Sequence, residues 1–424
     1  MQLFFGYVSL GVVMKKYSVF HNALFNSAGA IIYSICQWAI TMSAVRASGD
    51  FENSGILQLA ISVTNIFFVV ATYVPRTFQI SDLDEEYSPG EYVGIRIVSS
   101  LAAFVLCIFY SAVFGYSDKK LACITVYMLF KLTEAFSDVY RAYAQINYRM
   151  DYEFVSYLLR GIVSVLSFDA LLACTGNIFL AIAGMLLSST VVVVFYDLNV
   201  AKKFARVNPQ INKTAILKAG KACFPVVAAS VIITLYATIP RQFLEKLHGS
   251  EALGSYASVA TPIVIVQLLA SSLFNPMLTR FAELYKNKDI AGIRSFFVCT
   301  FSMLAGLTAI ALIGAKLIGE YIYVLLYGEK IKPYCGLMYA VIISSAMCAM
   351  CWLLNSILII LRQQHAQIIS SITGIVVVLT FSSNLISNYA MNGVSYTILF
   401  GYFICMVMSA VFIIRDLHFM KSKG

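Results

Sequence analysis

Long apolar runs alternate with short polar connections along the chain from residue 22 onward. Most runs reach about twenty residues, the length that an α-helix needs to cross the hydrocarbon core of a membrane. We therefore predict about twelve membrane-spanning helices, at 22–45, 54–75, 93–115, 121–145, 154–175, 177–198, 216–239, 252–279, 293–316, 335–361, 366–387 and 393–415. The run 317–328 is too short to span, and its tyrosines suit a position at the membrane interface.

The longest polar connection, 197–217, is basic and divides the predicted spans into two sets of six. This division predicts an all-α polytopic membrane protein with two six-helix lobes, 14–210 and 211–424, which is a common plan of transporters. The first thirteen residues are apolar but too few to span. The basic pair Lys15 and Lys16 follows them, whereas a cleaved signal carries its positive charge in front. One interpretation is that 1–13 are an upstream extension and that Met14, rather than Met1, is the natural start.

Composition supports a membrane protein and excludes a soluble one. The chain is 60% hydrophobic and 12% charged, with a mean hydropathy of +0.81, whereas soluble domains carry about 25% charged residues. Most of the 30 basic residues fall in the connections on one side of the predicted membrane. Because Lys and Arg accumulate on the cytoplasmic side, we expect both termini to be cytoplasmic and the protein to lie in the inner membrane. This placement explains the net charge of +9 without nucleic acid.

Motifs for soluble chemistry are missing from the sequence. It contains no G-x-x-x-x-G-K-[ST] for a nucleotide and no H-E-x-x-H for zinc, and its four histidines are scattered. A C-x-x-C pair, Cys348 and Cys351, lies inside an apolar run, where we interpret both thiols as small core residues. The longest outer loop, 316–333, has no cluster of acids and arginines. We therefore expect no catalytic residues, no metal and no cofactor, and a transporter rather than an enzyme.

The fourth predicted span is unusual for a membrane-crossing segment, because it carries four charged residues: Lys131, Glu134, Asp138 and Arg141. At about 100° per residue the four side chains share an arc of about 80°, and Gln145 lies on the same stripe. Each charge would cost about 2.5–3.5 kcal/mol if it faced lipid at the centre of the membrane. The stripe must therefore face protein or water.

Two interpretations of this stripe remain open. It is either a ladder of ion pairs, Lys131 with Glu134 and Asp138 with Arg141, each three residues apart, or the wall of a hydrated cavity for a polar cargo. Both can hold together. Four further polar residues deep in spans favour a cavity, although each alone could instead join two helices or be an interfacial charge: Arg160, Gln267, Asn275 and Asn355.

Three stretches of the chain resemble the Wzx-like polysaccharide-biosynthesis flippases, the oligosaccharidyl-lipid branch of the multidrug/oligosaccharidyl-lipid/polysaccharide exporter (MOP) superfamily. They are 76–98 (RTFQISDLDEEYSPGEYVGIRIV), 131–164 (beginning KLTEAFSDVYRAYAQ) and 239–289 (beginning IPRQFLEKLHGSEALG). The general plan covers about 14–424. The first span departs from the lipid II flippases, which carry basic residues there, since it offers only Asn22 and Asn26.

The resemblance implies a fold like that of MATE transporters and the translocation of a polyprenyl-diphosphate-linked oligosaccharide repeat unit for capsule, O-antigen or cell-wall polysaccharide. It implies alternating access between the lobes, driven by a proton or sodium gradient, in the company of membrane lipids and other polysaccharide-assembly proteins. The residues that match the family-like stretches are Glu134, Asp138, Gln145, Arg149, Asp151, Arg160 and Arg241.

Roles can be suggested for the charged residues in such a transporter. Cations along the route would hold the phosphates, and the residues expected to do so are Lys131, Arg141, Arg160, Arg241 and Arg362. Glu134 and Asp138 would bind the coupling ion or pair with the bases. The alternatives are an ion-coupled multidrug antiporter, which would need a cavity dominated by acids and aromatics, a membrane polymerase of polysaccharide assembly, and a scaffold without transport.

Overall fold

The computed structural model describes residues 17–82 and 85–422, with the side chains of all but 19, 262, 264–276, 279, 364 and 419–422. The predicted extension 1–13 and the alternative start at Met14 lie outside the described residues. The helices are α1 (Val19–Ser48), α2 (Glu52–Ala71), α3 (Arg76–Ser81), α4 (Pro89–Val113), α5 (Asp118–Ile146), α6 (Met150–Thr175), α7 (Ile178–Val192), α8 (Leu198–Phe204), α9 (Lys213–Lys286), α10 (Ile290–Gly314), α11 (Glu320–Tyr327), α12 (Leu337–Ile360) and α13 (Gln364–Ser422). π-Helical turns join α7 to α8 (Val193–Asp197) and α10 to α11 (Ala315–Gly319), and a 3-10 helix (Glu329–Tyr334) precedes α12.

The ends of the spanning helices follow from local sequence. At the start of α4, Ser88 and Glu91 form a reciprocal capping box with Pro89 in the first turn, which satisfies backbone N–H groups that lack intrahelical partners. Helices α1 and α6 end at Gly49 (φ 70°) and Gly176 (φ 62°), where a left-handed residue closes the last turn and glycine adopts it without strain. These stops place the turns between spans close to the predicted positions.

The two longest helices are each two helices joined by a sharp break. Helix α9 is interrupted at Gly249 (φ 83°, ψ 175°) and α13 at Ala390 (φ 47°, ψ −123°). Among the described residues nine helical segments are long and apolar enough to cross a membrane. The two interrupted helices each contribute a second pass, and the charged helix α5 adds another. The structure thus confirms an all-α membrane fold with about twelve spans in two lobes.

Helix α11 differs from the sequence expectation. The run 317–328 was expected to be a separate interfacial element, but a π-helical turn joins it to α10, and the combined helix continues to Tyr327. A helix of 38 residues is about 57 Å long, well beyond the hydrocarbon core of about 30 Å. Its end at Gly328 (φ 85°) therefore extends past the predicted span.

The alternation of the spans gives the bundle two ends. The linker side carries the amino end of α1 and the connections 72–88, 147–149, 205–212, 287–289 and 361–363; the hairpin side carries the turns at Gly49, Gly176, Gly249, Gly328 and Ala390. One hydrophobic cluster draws on both lobes and includes Leu57 of α2 with Leu253 of α9. Two further clusters lie toward the linker side, one within α9–α13 and one made by α2, α4, α5 and α8 with the start of α9.

Backbone contact on the hairpin side holds the two lobes together. A Cβ atom added at Gly55 of α2 would lie 1.7 Å from the carbonyl oxygen of Ser250, and one added at Gly254 would lie 2.1 Å from that of Phe51. Only glycine fits such an approach. On this side the N-terminal lobe (α1–α8) and the C-terminal lobe (α9–α13) are therefore tightly closed.

The connection 205–212 between the lobes is fixed to α4. The backbone N–H of Gln210 donates to the carbonyl of Gly90 (2.9 Å), and the Asn212 amide donates to Glu91 (2.7 Å). A Cβ at Gly94 would lie 2.0 Å from the Gln210 carbonyl oxygen. The first turns of α9 continue this contact, since their buried residues pack with the N-terminal lobe. The predicted boundary at residue 210 lies in this connection, and the independence of the two predicted domains stays a prediction.

Candidate functional site

The first polar cluster lies midway along the N-terminal lobe and is called the Tyr33 cluster (Tyr33, Lys131, Glu134 and Arg160). The Lys131 ammonium is 2.7 Å from a carboxylate oxygen of Glu134, and the Tyr33 hydroxyl donates to the other oxygen. Lys131 also lies over the Phe68 ring, 5.1 Å from its centroid. Helices α1, α2, α5 and α6 thus all contribute to a site whose ion pair would be costly in lipid.

Arg160 is the least satisfied member of this cluster. Its side chain is 2% exposed, and its guanidinium carbon lies 5.0 Å from the Tyr33 ring centroid and 6.0 Å from that of Tyr157. The Nε and Nη1 atoms of Arg160 are buried without a hydrogen-bond partner. The aromatic faces of Tyr33 and Tyr157 stabilise the Arg160 guanidinium. The hydrogen bonds that it does not make destabilise it, because a buried cation without acceptors costs free energy.

The second cluster lies closer to the linker side and is called the Glu153 cluster (Arg76, Arg96, Asp138, Arg141 and Glu153). Arg76 holds Glu153 in a bidentate pair, with Nη2 2.6 Å from Oε2. Arg141 is held more loosely, 3.5 Å from Glu153 and 3.9 Å from Asp138. Arg96 lies 3.6 Å from Asp138. Since Glu153 is fully buried, only this paired geometry can keep its charge inside the lobe.

Backbone contacts orient the arginines of the Glu153 cluster. Arg96 donates to the carbonyls of Ala71 (3.0 Å) and Val74 (3.1 Å) at the end of α2, where the last turn of a helix leaves carbonyls unpaired. The guanidinium of Arg141 stacks 4.1 Å from the Tyr157 ring centroid. Tyr157 therefore lies between the two clusters and connects them.

The combined charge of the two clusters is positive. The five bases are Lys131, Arg160, Arg76, Arg96 and Arg141, and the three acids are Glu134, Asp138 and Glu153. The clusters are not sealed, because the side chains of Lys131 and Asp138 remain 16% and 22% exposed. An anion that reached this face would meet cations, tyrosine hydroxyls and partly open space.

The structure brings together five of the sequence-predicted residues: Lys131, Glu134, Asp138, Arg141 and Arg160. Both predicted ion pairs exist, the first tight and the second at 3.9 Å. Gln145 is half-buried near the linker-side end of α5.

The remaining predicted residues lie elsewhere. Arg241 is on the first half of α9 toward the hairpin side, with a buried Nε that has no hydrogen-bond partner. Arg362 is exposed in the turn between α12 and α13 on the linker side, far along the chain from both clusters. Gln267 and Asn275 lie on the second half of α9, but their side chains are outside the described part.

Arg149 and Asp151 form a pair of their own at the connection between α5 and α6. Two hydrogen bonds of 2.8 Å join them, and the guanidinium stacks 4.5 Å from the Tyr152 ring centroid. The hydrogen bonds that Arg149 donates to this carboxylate raise the pKa of Arg149. The pair lies at the start of α6 on the linker side, outside the two clusters.

Sequence reasoning missed Tyr33, Arg76, Arg96, Glu153 and Tyr157. Arg76 and Arg96 were counted as cytoplasmic connection charges, and Glu153 lies in the polar start of α6. One signal was available for Arg96, which lies about one helical turn inside the predicted span 93–115. This position is deep for a charge whose only role is to set the orientation of the protein in the membrane. Residues 76 and 153 are too far apart in sequence for any helical spacing to join them.

A metal site would need several His, Cys, Asp or Glu side chains close together. Among the described residues, no group of three or more His, Cys, Asp or Glu side chains could hold a metal ion. The acids of both clusters already contact lysine or arginine side chains. The positive charges of the site are therefore those of the protein's own bases.

Comparison with known proteins gives the fold a family context. No protein-family profile matches the chain. The lipid II flippase MurJ, in an inward closed conformation, superposes with a TM-score of 0.70 at 12% identity, over 94% of this chain and 90% of that one. A multidrug resistance MATE family transporter of the MOP superfamily, in an inward-facing conformation, gives a TM-score of 0.67 at 11% identity, over 95% and 98%. The chain therefore shares the fold of these two solved proteins.

One curated relative shares more sequence over a shorter length. The capsular polysaccharide biosynthesis protein CapF of Staphylococcus aureus is 24% identical over 262 residues, 61% of this chain and 64% of that protein. The match therefore spans less than two thirds of the relative's length. These similarities confirm the predicted multi-pass helical fold. Membership of the Wzx-like branch stays a prediction.

Proposed function

We propose that the chain is a flippase that moves a polyprenyl-diphosphate-linked oligosaccharide repeat unit across the cytoplasmic membrane, for capsule, O-antigen or cell-wall polysaccharide synthesis. The main support is the unbalanced cation of the Tyr33 cluster. Lys131 is neutralised by Glu134 at 2.7 Å, whereas Arg160 has two buried nitrogens without an acceptor. A phosphate oxygen would supply the missing acceptors, and arginine binds phosphate through a bidentate fork.

The surroundings of Arg160 fit a sugar-diphosphate headgroup. A diphosphate and several sugars cannot enter hydrocarbon, so their route needs cations for the phosphates and hydrogen-bonding groups for the hydroxyls. The N-terminal lobe offers arginines and tyrosines on one face. Lys131 and Asp138 keep part of that face open, at 16% and 22% exposure. The CapF relative, named for capsular polysaccharide biosynthesis, supports this substrate class.

The rival proposal is a multidrug antiporter, which shares the fold. A cationic drug needs an uncompensated acid on its route. Here Glu134 and Glu153, both buried, contact Lys131 and two arginines respectively. The surplus charge of the two clusters is positive, and this favours an anionic cargo.

Alternating access driven by a proton or sodium gradient belongs to the same proposal, with Glu134 and Asp138 as sequence-predicted coupling acids. We also propose that the linker side faces the cytoplasm. A single cysteine at Asn208, in a variant without the ten natural cysteines, should then resist an impermeant thiol reagent applied to intact cells. Labelling from outside would reverse the orientation.

The decisive experiment is complementation of a strain that lacks its own flippase for a matching repeat unit. The wild-type chain should restore surface polysaccharide, while Arg160→Gln should lower it at equal amounts of membrane-inserted protein. A lost charged hydrogen bond of about 1.5–3 kcal/mol corresponds to about a 10- to 150-fold loss. Arg160→Lys should retain more activity, because the charge survives although the fork is lost.

Arg294→Gln is the matched control, since Arg294 is an exposed arginine at the start of α10. It should leave the polysaccharide level unchanged. Failure of the wild-type chain to restore polysaccharide, together with efflux of a lipophilic cation from the same cells, would favour the multidrug antiporter instead.

A further inference from the structure

The last span of the N-terminal lobe contains a buried acid that the two clusters do not include. Asp197 closes the π-helical turn Val193–Asp197 between α7 and α8. Such turns are rare and occur often at functional sites. Asp197 is 2% exposed, although Phe195 two residues earlier is 71% exposed. The turn thus directs a carboxyl group into the lobe while Phe195 faces outward.

The contacts of Asp197 leave half of its carboxyl group unsatisfied. Its Oδ2 accepts a hydrogen bond of 2.5 Å from the Ser137 hydroxyl of α5, and its Oδ1 is buried without a partner. Ser137 immediately precedes Asp138 of the Glu153 cluster, so this hydrogen bond connects Asp197 to the helix that carries the charged stripe.

Asp197 also lacks a counter-ion. Among the described residues four acids are buried, and three of them lie within 4.0 Å of a base: Glu134 with Lys131, Glu153 with Arg76 and Arg141, and Glu245 with Lys120. Asp197 has no ion pair of that kind among the described residues. An unpaired buried carboxylate is costly unless a cation, a hydrogen-bond donor or a proton compensates its charge.

Few titratable groups face this carboxyl. From α5 they are Tyr140 and Arg141, and from its own turn Tyr196. Helix α7 carries no titratable residue, and Lys202 and Lys203 of α8 are exposed. Arg141 is therefore the cation that can neutralise the Asp197 carboxylate in place of a proton.

We propose that Asp197 is a proton-binding site, and that its protonation decides whether Arg141 pairs with Asp197 or stays in the Glu153 cluster. Proton uptake forms an O–H bond at Oδ1 and leaves Arg141 with Glu153 and Asp138. Proton release to water leaves a carboxylate that attracts Arg141, whose present contacts of 3.5 and 3.9 Å are longer than the 2.6 Å contact between Arg76 and Glu153. Each release would rearrange the cations on the proposed phosphate route. This inference rests on the proposed transport function and names its proton site.

The first test does not depend on transport. Infrared spectra of the purified protein at neutral pH should show the carbonyl stretch of a protonated carboxyl group, and Asp197→Asn should lose this band. Asp151→Asn, at an acid that pairs with Arg149 at 2.8 Å, is the matched control and should keep it. Persistence of the band in Asp197→Asn would overturn the proton site, whatever the protein transports.

The second test measures coupling. Surface polysaccharide made by the wild-type chain should vary with the pH of the medium. Asp197→Asn, which mimics the protonated form, should remove that dependence at equal membrane insertion. Identical pH profiles for the wild type and Asp197→Asn would refute coupling. Should no variant yield polysaccharide while the infrared band behaves as expected, the proposed function is wrong and the proton site stands.

Discussion

The indole nitrogen of Trp38 donates a hydrogen bond of 2.9 Å to the hydroxyl of Tyr327, and the two residues belong to different lobes. Nearby, Arg46 of α1 donates to the last carbonyls of α11, 2.7 Å from that of Leu326, and Lys330 donates to the carbonyl of Gly49. Segment 320–334 of the C-terminal lobe therefore contacts α1 and the α1–α2 turn through several hydrogen bonds. These contacts must break if the lobes separate on the hairpin side.

We expect Trp38→Phe and Tyr327→Phe each to weaken closure of the lobes by about 0.5–1.5 kcal/mol, the usual contribution of one hydrogen bond. The double variant should cost little more than either single variant, because the same bond is lost. Closure can be measured by thiol labelling of a cysteine placed at Ala47, which is exposed beside this turn. Fully additive effects would show that the two side chains act independently.

Close packing between α2 and α9 gives a second prediction. Gly55→Ala would place a Cβ 1.7 Å from the Ser250 carbonyl oxygen, so the backbones must separate. The expected cost is about 1–3 kcal/mol of stability, seen as a lower melting temperature in detergent and greater labelling of the hairpin side. Gly306→Ala in α10, where an added Cβ meets nothing within 4 Å, is the control and should be neutral or slightly stabilising.

The pair Lys131 and Glu134 tests what the stripe is for. Lys131→Met alone removes the ion-pair partner of the buried Glu134, which keeps its hydrogen bond from the Tyr33 hydroxyl, and should impair both folding and transport. The double variant Lys131→Met with Glu134→Leu should restore folding, since an apolar pair can replace a buried ion pair at little cost. If the bases contact the diphosphate, the inserted double variant still fails to export repeat units. Normal surface polysaccharide in that variant would identify the pair as a purely structural ladder.

Among the buried acids, Glu153 is the one whose substitution should reduce the stability of the protein most. Glu153→Gln leaves the buried guanidinium of Arg76 without its bidentate partner, and removal of one member of a buried pair costs about 3–5 kcal/mol. Glu52→Gln is the comparison, because its pair with Lys119 is 3.8 Å long and exposed, worth about 0–1 kcal/mol. Melting temperatures of the two variants should differ accordingly, and equal values would contradict the assignment.

The tertiary structure also changes how the sequence-predicted site is viewed. Periodicity within one helix was enough to align Lys131 with Glu134 and Asp138 with Arg141, because residues three apart on a helix are neighbours. It could not find Arg76 and Glu153, which are 77 residues apart and meet through a bidentate contact. It also gave Arg362 a role in the phosphate route, whereas the chain turns there and exposes it on the linker side.

The sequence by itself determined the helical passes and their division into two sets, since the length of an apolar run and the position of its polar stops are local properties. The break at Gly249 falls between the predicted spans 216–239 and 252–279. Only the tertiary structure decided which charges neutralise one another and which cation is left over. Arg160 and Asp197 have ordinary sequence surroundings, and their unsatisfied atoms result from the packing of α1, α5 and α6 around one and of α5 and α7 around the other. Burial and pairing depend on distant segments, and that is why they could not be derived from hydropathy.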